Sequence, residues 1–189
     1  SDARTIVALK DAFQWSQAVT LARSLAAKAS PGPRHAENRA RVVRAASDLL
    51  TLIEQRMLRP AGGDTRQVPE VCQLFLEGLQ LAHRVPELKT REPELLSAAA
   101  QYLRSSTGWV ASSVEGLSFE GAALPAERLV EETRRAVEQF ARLRELEQWL
   151  TAQGRPVAAA LPEAMQRAAQ ALTSVAERVF GEPAVDGSD

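Results

Sequence analysis

The sequence predicts an all-α fold, an antiparallel helical bundle or a short stack of helical hairpins with about six helices. Apolar residues recur at spacings of three and four over long stretches. No segment alternates apolar and polar residues long enough to form a strand, and runs rich in Val, Ile and Thr are absent. A pattern that occurs twice suggests how the helices are joined: Gly78-x-x-Leu81-x-x-x-Val85-Pro86-Glu87 and Gly154-x-x-Val157-x-x-x-Leu161-Pro162-Glu163. Each copy is expected to end one helix at the Gly and open the next at the Pro.

The first helix is expected to carry Ala12, Trp15, Val19, Ala22, Ala26 and Ala29 on one face, and Ser30-Pro31-Gly32-Pro33 stops it. The second places Val42, Ala46, Leu49, Ile53 and Met57 on a stripe and ends near Arg59-Pro60, before a Gly62-Gly63-Asp64-Thr65 loop. The third runs from about Pro69 to Arg84 with Val71, Leu74, Phe75, Leu81 and Val85 apolar. Gly78 is expected to kink or break it, since Gly costs about 1 kcal/mol against Ala inside a helix. Thr90 is the expected cap of the fourth helix, ahead of Glu92 and Glu94, and Leu95, Ala99, Leu103, Val110, Val114 and Leu117 line its buried side. Gly108 is a second weak point. The fifth starts near Pro125 and carries Leu129, Thr133, Ala136, Phe140, Leu143 and Leu150. Its outer charges are spaced for i,i+4 pairs, Arg128 with Glu132, Glu131 with Arg135 and Glu138 with Arg142. The sixth has the cleanest stripe, Leu161, Met165, Ala168, Leu172, Val175 and Val179, closed by Gly181.

This reads as a single helical domain over 1–181, with 1–60 and 65–181 as possible sub-units and 182–189 as a polar linker. The Ser1 start and polar tail read as a piece of a longer protein. With 45% hydrophobic but only 5% aromatic residues, the interior must be built mainly from Ala, Leu and Val. A formal net charge of -1 removes the bulk attraction expected of a general nucleic-acid or anionic-membrane binder. Cys72 is the sole cysteine, so no internal disulfide can form. No apolar run approaches the roughly 18 residues that span a bilayer, so the chain reads as an intracellular soluble one with no membrane partner.

Reactive chemistry is hard to find. His35 and His83 have no Cys, Asp or second His at metal-ligand spacing. Cys72 lies one turn from Leu76 and reads as a small buried hydrophobe. Glu131, Glu132, Glu138, Glu145 and Glu147 lack the Glu-x-x-His motifs of a di-iron bundle and read as a solvated, Arg-paired face. No catalytic, cofactor-binding or metal residue is assigned, and no cofactor is expected. The candidate interaction residues include a basic strip, Arg34, Arg39, Arg41 and Arg44. Trp15, Trp109 and Trp149 read first as packing anchors whose indole N–H reaches a loop carbonyl; the alternative is that one of them, Trp15 or Trp149, is an exposed partner hot spot in a groove. The Arg strip lacks the aromatic interleaving of a base-stacking surface, which argues against a nucleic-acid partner.

The stretch Leu79-Gln80-Leu81-Ala82-His83-Arg84-Val85-Pro86-Glu87-Leu88, with the helix that follows to Trp109-Val110, resembles the PLU-like helical linker domain of the JARID-type jumonji histone lysine demethylases. So does Gly154-Arg155-Pro156-Val157 with Leu161-Pro162-Glu163 and the helix to Phe180. The second unit has no counterpart of Trp109, and the first sixty residues carry no such joint. The resemblance implies a nuclear, noncatalytic scaffold that spaces the catalytic and reader domains of a chromatin enzyme, with flanking domains or chromatin proteins as partners. The iron and 2-oxoglutarate ligands would then lie in another domain of the parent. The alternative is a spectrin-like or focal-adhesion-type bundle that binds a partner helix.

Overall fold

A computed structural model describes residues 2–28, 32–57, 65–120 and 124–181. The expected stop at Ser30-Pro31, the end near Arg59-Pro60, most of the Gly-rich loop and the 182–189 linker lie outside these residues, as do Ala29 and the side chain of Met57. Among the described residues the chain is all α-helical, with α1 Asp2–Asp11, α2 Trp15–Ala27, α3 Pro33–Met57, α4 Val68–Arg84, α5 Glu92–Gly116, α6 Ala126–Ala152 and α7 Leu161–Phe180. Short 3-10 turns cover Thr65–Gln67, Pro86–Arg91 and Leu117–Phe119.

The first predicted helix is two helices. Phe13 takes a left-handed backbone, φ 59°, between α1 and α2. Gln14 N donates to Leu9 O at 2.9 Å and Phe13 N to Lys10 O at 3.1 Å. This is the paired hydrogen-bond arrangement that ends a helix through one left-handed residue, a position that usually holds Gly. Ala12 is accordingly exposed, while Trp15, Val19, Ala22 and Ala26 are buried as their spacing predicts.

The predicted stripes of α3, α4 and α5 are buried. Helix α5 is central and touches α3, α4, α6 and α7. Small side chains at Ala98, Ala99, Ser106, Thr107 and Ala111, all buried, let those neighbours approach. One buried cluster runs from Ile6 on α1 to Ala168 on α7 and draws on both segments marked as possible sub-units. Each fully buried Leu in it, such as Leu49, Leu81, Leu103 and Leu143, is stabilising by about 1.5 to 3 kcal/mol.

The two copies of the repeated pattern fold differently. Gly78 does not end or kink α4; it lies inside the helix, where a Cβ would stand 3.3 Å from Leu50 Cδ2 and 3.4 Å from Leu95 Cδ2. It is a close-packing position between α4, α3 and α5. Gly154 behaves as the pattern predicts: with φ 73° it follows α6, and Arg155 N donates to Leu150 O at 2.9 Å and Gly154 N to Thr151 O at 3.0 Å. After α4, extended Val85 leads into a 3-10 turn that buries Leu88, and α5 starts at Glu92 without a side-chain cap. Thr90 therefore lies within the 3-10 turn and does not cap α5. Gly108 leaves α5 unbroken, with open space where its Cβ would be.

Helix α7 buries Leu161, Ala168 and Val175, but Met165 is 38% exposed and Leu172 only half-buried. The outer part of its apolar stripe has no covering helix among the described residues. On α6 the expected i,i+4 pairs are replaced by shorter-range ones: Arg134 reaches Glu131 at 2.8 Å, Arg135 reaches Glu132 at 3.0 Å and Arg142 reaches Glu145 at 3.2 Å. Residues three apart are also neighbours on a helix surface, so Glu131 and Glu132 take Arg134 and Arg135, and Arg142 turns from Glu138 to Glu145. Arg128 instead reaches Glu120, before the helix, at 2.8 Å.

Candidate interaction site

The left-handed turn at Phe13 and the N-termini of α2 and α4 meet the middle of α6 around a cleft of ≈ 670 Å³, lined among others by Phe13, Trp15, Glu70, Gln73, Glu138 and Arg142. Trp15 forms the floor. It is 9% exposed, and its Nε1 donates to Lys10 O at 3.1 Å. That is the anchoring role for a tryptophan, so Trp15 is not itself the exposed hot spot. The exposed ring is its neighbour Phe13, 65% accessible and 6.2 Å from Trp15 between centroids.

Ser16 donates to Glu77 at 2.8 Å and Gln73 donates to the same carboxylate at 3.0 Å, which fastens α2 to α4 along the cleft. Arg142, on the α6 wall, holds Glu145 at 3.2 Å and donates to Gln73 at 3.5 Å. Glu70 and Glu138 make no ion pair among the described residues.

The basic strip does not form one surface. Arg39 turns inward: its Nε and Nη2 donate to Glu87 at 2.8 and 3.1 Å, and its Nη1 donates to Ala26 O at 2.6 Å. This fork ties α3 to the end of α2 and to the joint before α5. The hydrogen bond from Arg39 lowers the Glu87 carboxyl below its ordinary range, and the Glu87 carboxylate in turn raises Arg39. Arg41 holds Glu37 at 2.5 Å along its own helix. Arg34 and Arg44 are exposed. As a site, the strip loses Arg39 to structure.

Trp149 is half-buried at the other end of the α4–α6 seam, edge-on to His83 at 6.3 Å. Its Nε1 is buried without a hydrogen-bond partner among the described residues, so the expected loop carbonyl is not reached there. His83 Nδ1 lies 3.2 Å from Glu92 Oε1, linking the end of α4 to the start of α5. Trp109 is half-buried.

An apolar groove of ≈ 410 Å³ lies elsewhere, between α6 and α7, lined by Val137, Phe140, Ala141, Met165, Ala169 and Leu172 among others. Val137, on its α6 wall, is 64% exposed. Neither Trp15 nor Trp149 lines it.

The Cys72 thiol is fully buried and pushed up to about 12, chiefly by burial, which leaves it in the unreactive thiol form. No group of three or more His, Cys, Asp or Glu side chains among the described residues is placed to hold a metal ion. No described helix is long and apolar enough to cross a membrane.

Sequence reasoning missed Phe13, Glu70 and Glu138 as a group. Nothing local marks residue 13, because a left-handed turn usually announces itself with Gly or Asn. Residues 13, 70 and 138 come together only through the packing of α2, α4 and α6.

Fold and site together define a class: a helical bundle with a main core spanning α1 to α7 and a smaller cluster of Leu117, Leu124, Leu129 and Val175, no assembled reactive centre among its described residues, and an open cleft with an aromatic rim. No family model matches the chain, and no match is found among curated proteins or solved structures.

Proposed function

We propose that this chain is a noncatalytic helical scaffold and interaction module within a larger protein. The observation that carries this reading is the continuous core that joins α1 through α7, with α5 held on several sides. Such a body resists bending, so domains attached at its ends keep a set separation that a flexible tether would not impose. The open surfaces at the Phe13 cleft and the α6–α7 groove supply places for a protein partner.

The resemblance at residues 79–88 and 154–163 extends the proposal to a nuclear setting, as the spacer between catalytic and reader domains of a histone lysine demethylase. In this reading demethylation belongs to another domain of the parent. Replacing the module in that parent with a flexible Gly/Ser linker should lower activity on nucleosomes more than activity on free peptide. Equal loss on both substrates would count against a spacer role.

A second reading is favoured by exposed Val137 and Met165: a partner helix laid in the α6–α7 groove, as in spectrin-like or focal-adhesion-type bundles. Val137→Glu should abolish capture of an amphipathic helical peptide without changing helical content by circular dichroism. Undiminished capture would remove this reading.

A further inference from the structure

We propose that the cleft behind Phe13 binds a basic segment of a partner protein, an extended peptide that presents Lys or Arg side chains. This rests on the interaction-module reading and names the partner's chemistry.

Charge complementarity selects the occupant. Glu70 and Glu138 line the cleft with no ion pair among the described residues. Glu77 accepts hydrogen bonds from Ser16 and Gln73, both of which line the cleft. Arg142 is the cation on these walls, and Glu145 already engages it at 3.2 Å. On the last turn of α1, Lys10 lies 3.9 Å from Asp11. A cationic side chain entering here meets the Glu70 and Glu138 carboxylates, of which Glu138 also feels Arg134 from its own helix, whereas an acidic one meets like charge.

Phe13 supplies the second element of recognition. Its ring is exposed at the rim, where an ammonium or guanidinium can lie over an aromatic face. The backbone there is left-handed, which is costly for any residue with a Cβ, and strain of this kind collects at sites of function. Neutral amides from Gln14, Gln67 and Gln73 border the same opening and can bond an extended peptide backbone.

Fluorescence anisotropy on the full 189-residue chain tests this, using labelled Arg/Gly/Ser, Glu/Gly/Ser and amphipathic helical peptides as probes. The Arg peptide should saturate one site, more weakly as salt rises. Glu70→Gln with Glu138→Gln should weaken it about tenfold, and Phe13→Gly about threefold. Phe13→Gly removes the ring while relaxing the backbone, so its loss of binding comes with a higher melting temperature and is not a folding defect. Glu163→Gln, on exposed α7, should leave binding unchanged. The proposal is overturned by absence of saturable Arg-peptide binding, by preference for the acidic or helical probe, or by equal affinity in every cleft variant. The scaffold reading is judged separately, by the linker replacement, and survives a failure here.

Discussion

Helices α1 and α6 end in the same backbone motif with opposite residues. At α6 the left-handed position is Gly154, exposed, with nothing near the place of its missing Cβ. At α1 the same position is Phe13. For an L-residue this conformation costs about 1 to 2 kcal/mol, so one end is relaxed and the other strained. The strained end borders the cleft; the relaxed end opens a joint that takes its own left-handed residue only later, at Ala160, φ 50°, before α7. Helix α4 ends differently again: Val85 is extended and the chain is secured by inserting Leu88 into the core. The lesson is that similar joint sequences can start from a backbone turn or from packing: Leu88 anchors one directly, while the Gly154 turn sets the other before Ala159 and Leu161 reach the same core.

Substitutions sharpen that contrast. The largest effect is expected where packing holds the joint: Leu88→Ala should destabilise by about 3 kcal/mol in denaturant unfolding, against about 1 kcal/mol for half-buried Val157→Ala in the other joint. Buried Cys72 gives an independent readout, because its thiol should react with an aromatic disulfide reagent only through opening of α4. Leu88→Ala should then speed labelling about a hundredfold if opening is global. Comparable costs at Leu88 and Val157 would erase the distinction between the joints.

Next in size are the two motif ends. Gly154→Ala should cost about 1 kcal/mol. Phe13→Gly should stabilise by about 0.5 to 1 kcal/mol, the relief of strain being partly offset by the greater freedom of the unfolded chain. Melting temperatures shifting in the same direction for both variants would contradict the assignment of strain. The helix-interior glycines form a matching control. Gly108→Ala has open space and should stabilise by up to about 1 kcal/mol, while the same change at Gly78 must push against Leu50 and Leu95 and should return little of that gain.

The smallest effect is electrostatic and belongs to the packed joint. Glu87 titrates lower in the folded chain than in the unfolded one, because Arg39 hydrogen-bonds its charged form. The stabilisation is therefore fully present above the ordinary carboxylate value of 4.5 and is lost as pH falls through the depressed folded value. Both side chains are more than a third accessible, at 35% and 44%, so water screens the pair. A difference of about 0.5 kcal/mol between wild type and Glu87→Gln is expected at pH 7. Urea titrations should show the two proteins converging in acid, and a gap that widens there would refute the pairing.

Much of the fold was legible because helix periodicity is local. The stripes from Val42 to Ile53, Val71 to Val85 and Leu95 to Leu117 are buried as their spacing predicts. The break at residues 12–14 was not legible, since Ala12, Phe13 and Gln14 carry no helix-stopping signal and the strained turn persists only through its surroundings. Gly78 was misread for the converse reason. A lone Gly in a helical pattern signals a break or a close approach equally well, and only the positions of Leu50 and Leu95 decide between them. Among the candidate site residues, Arg39 and Trp15 became anchors once their partners were in place.

By itself, the sequence determined that the chain is all-α, which residues face inward on most helices, and that α6 ends at a glycine. These follow from spacings and backbone preferences that operate within a few residues. Tertiary structure alone decided which helix is central, that Gly78 is a contact and not a joint, and that Phe13, Glu70 and Glu138 share a cleft. Those depend on contacts between residues far apart in the chain, where the energy resides in fit and charge across helices and no local pattern records it.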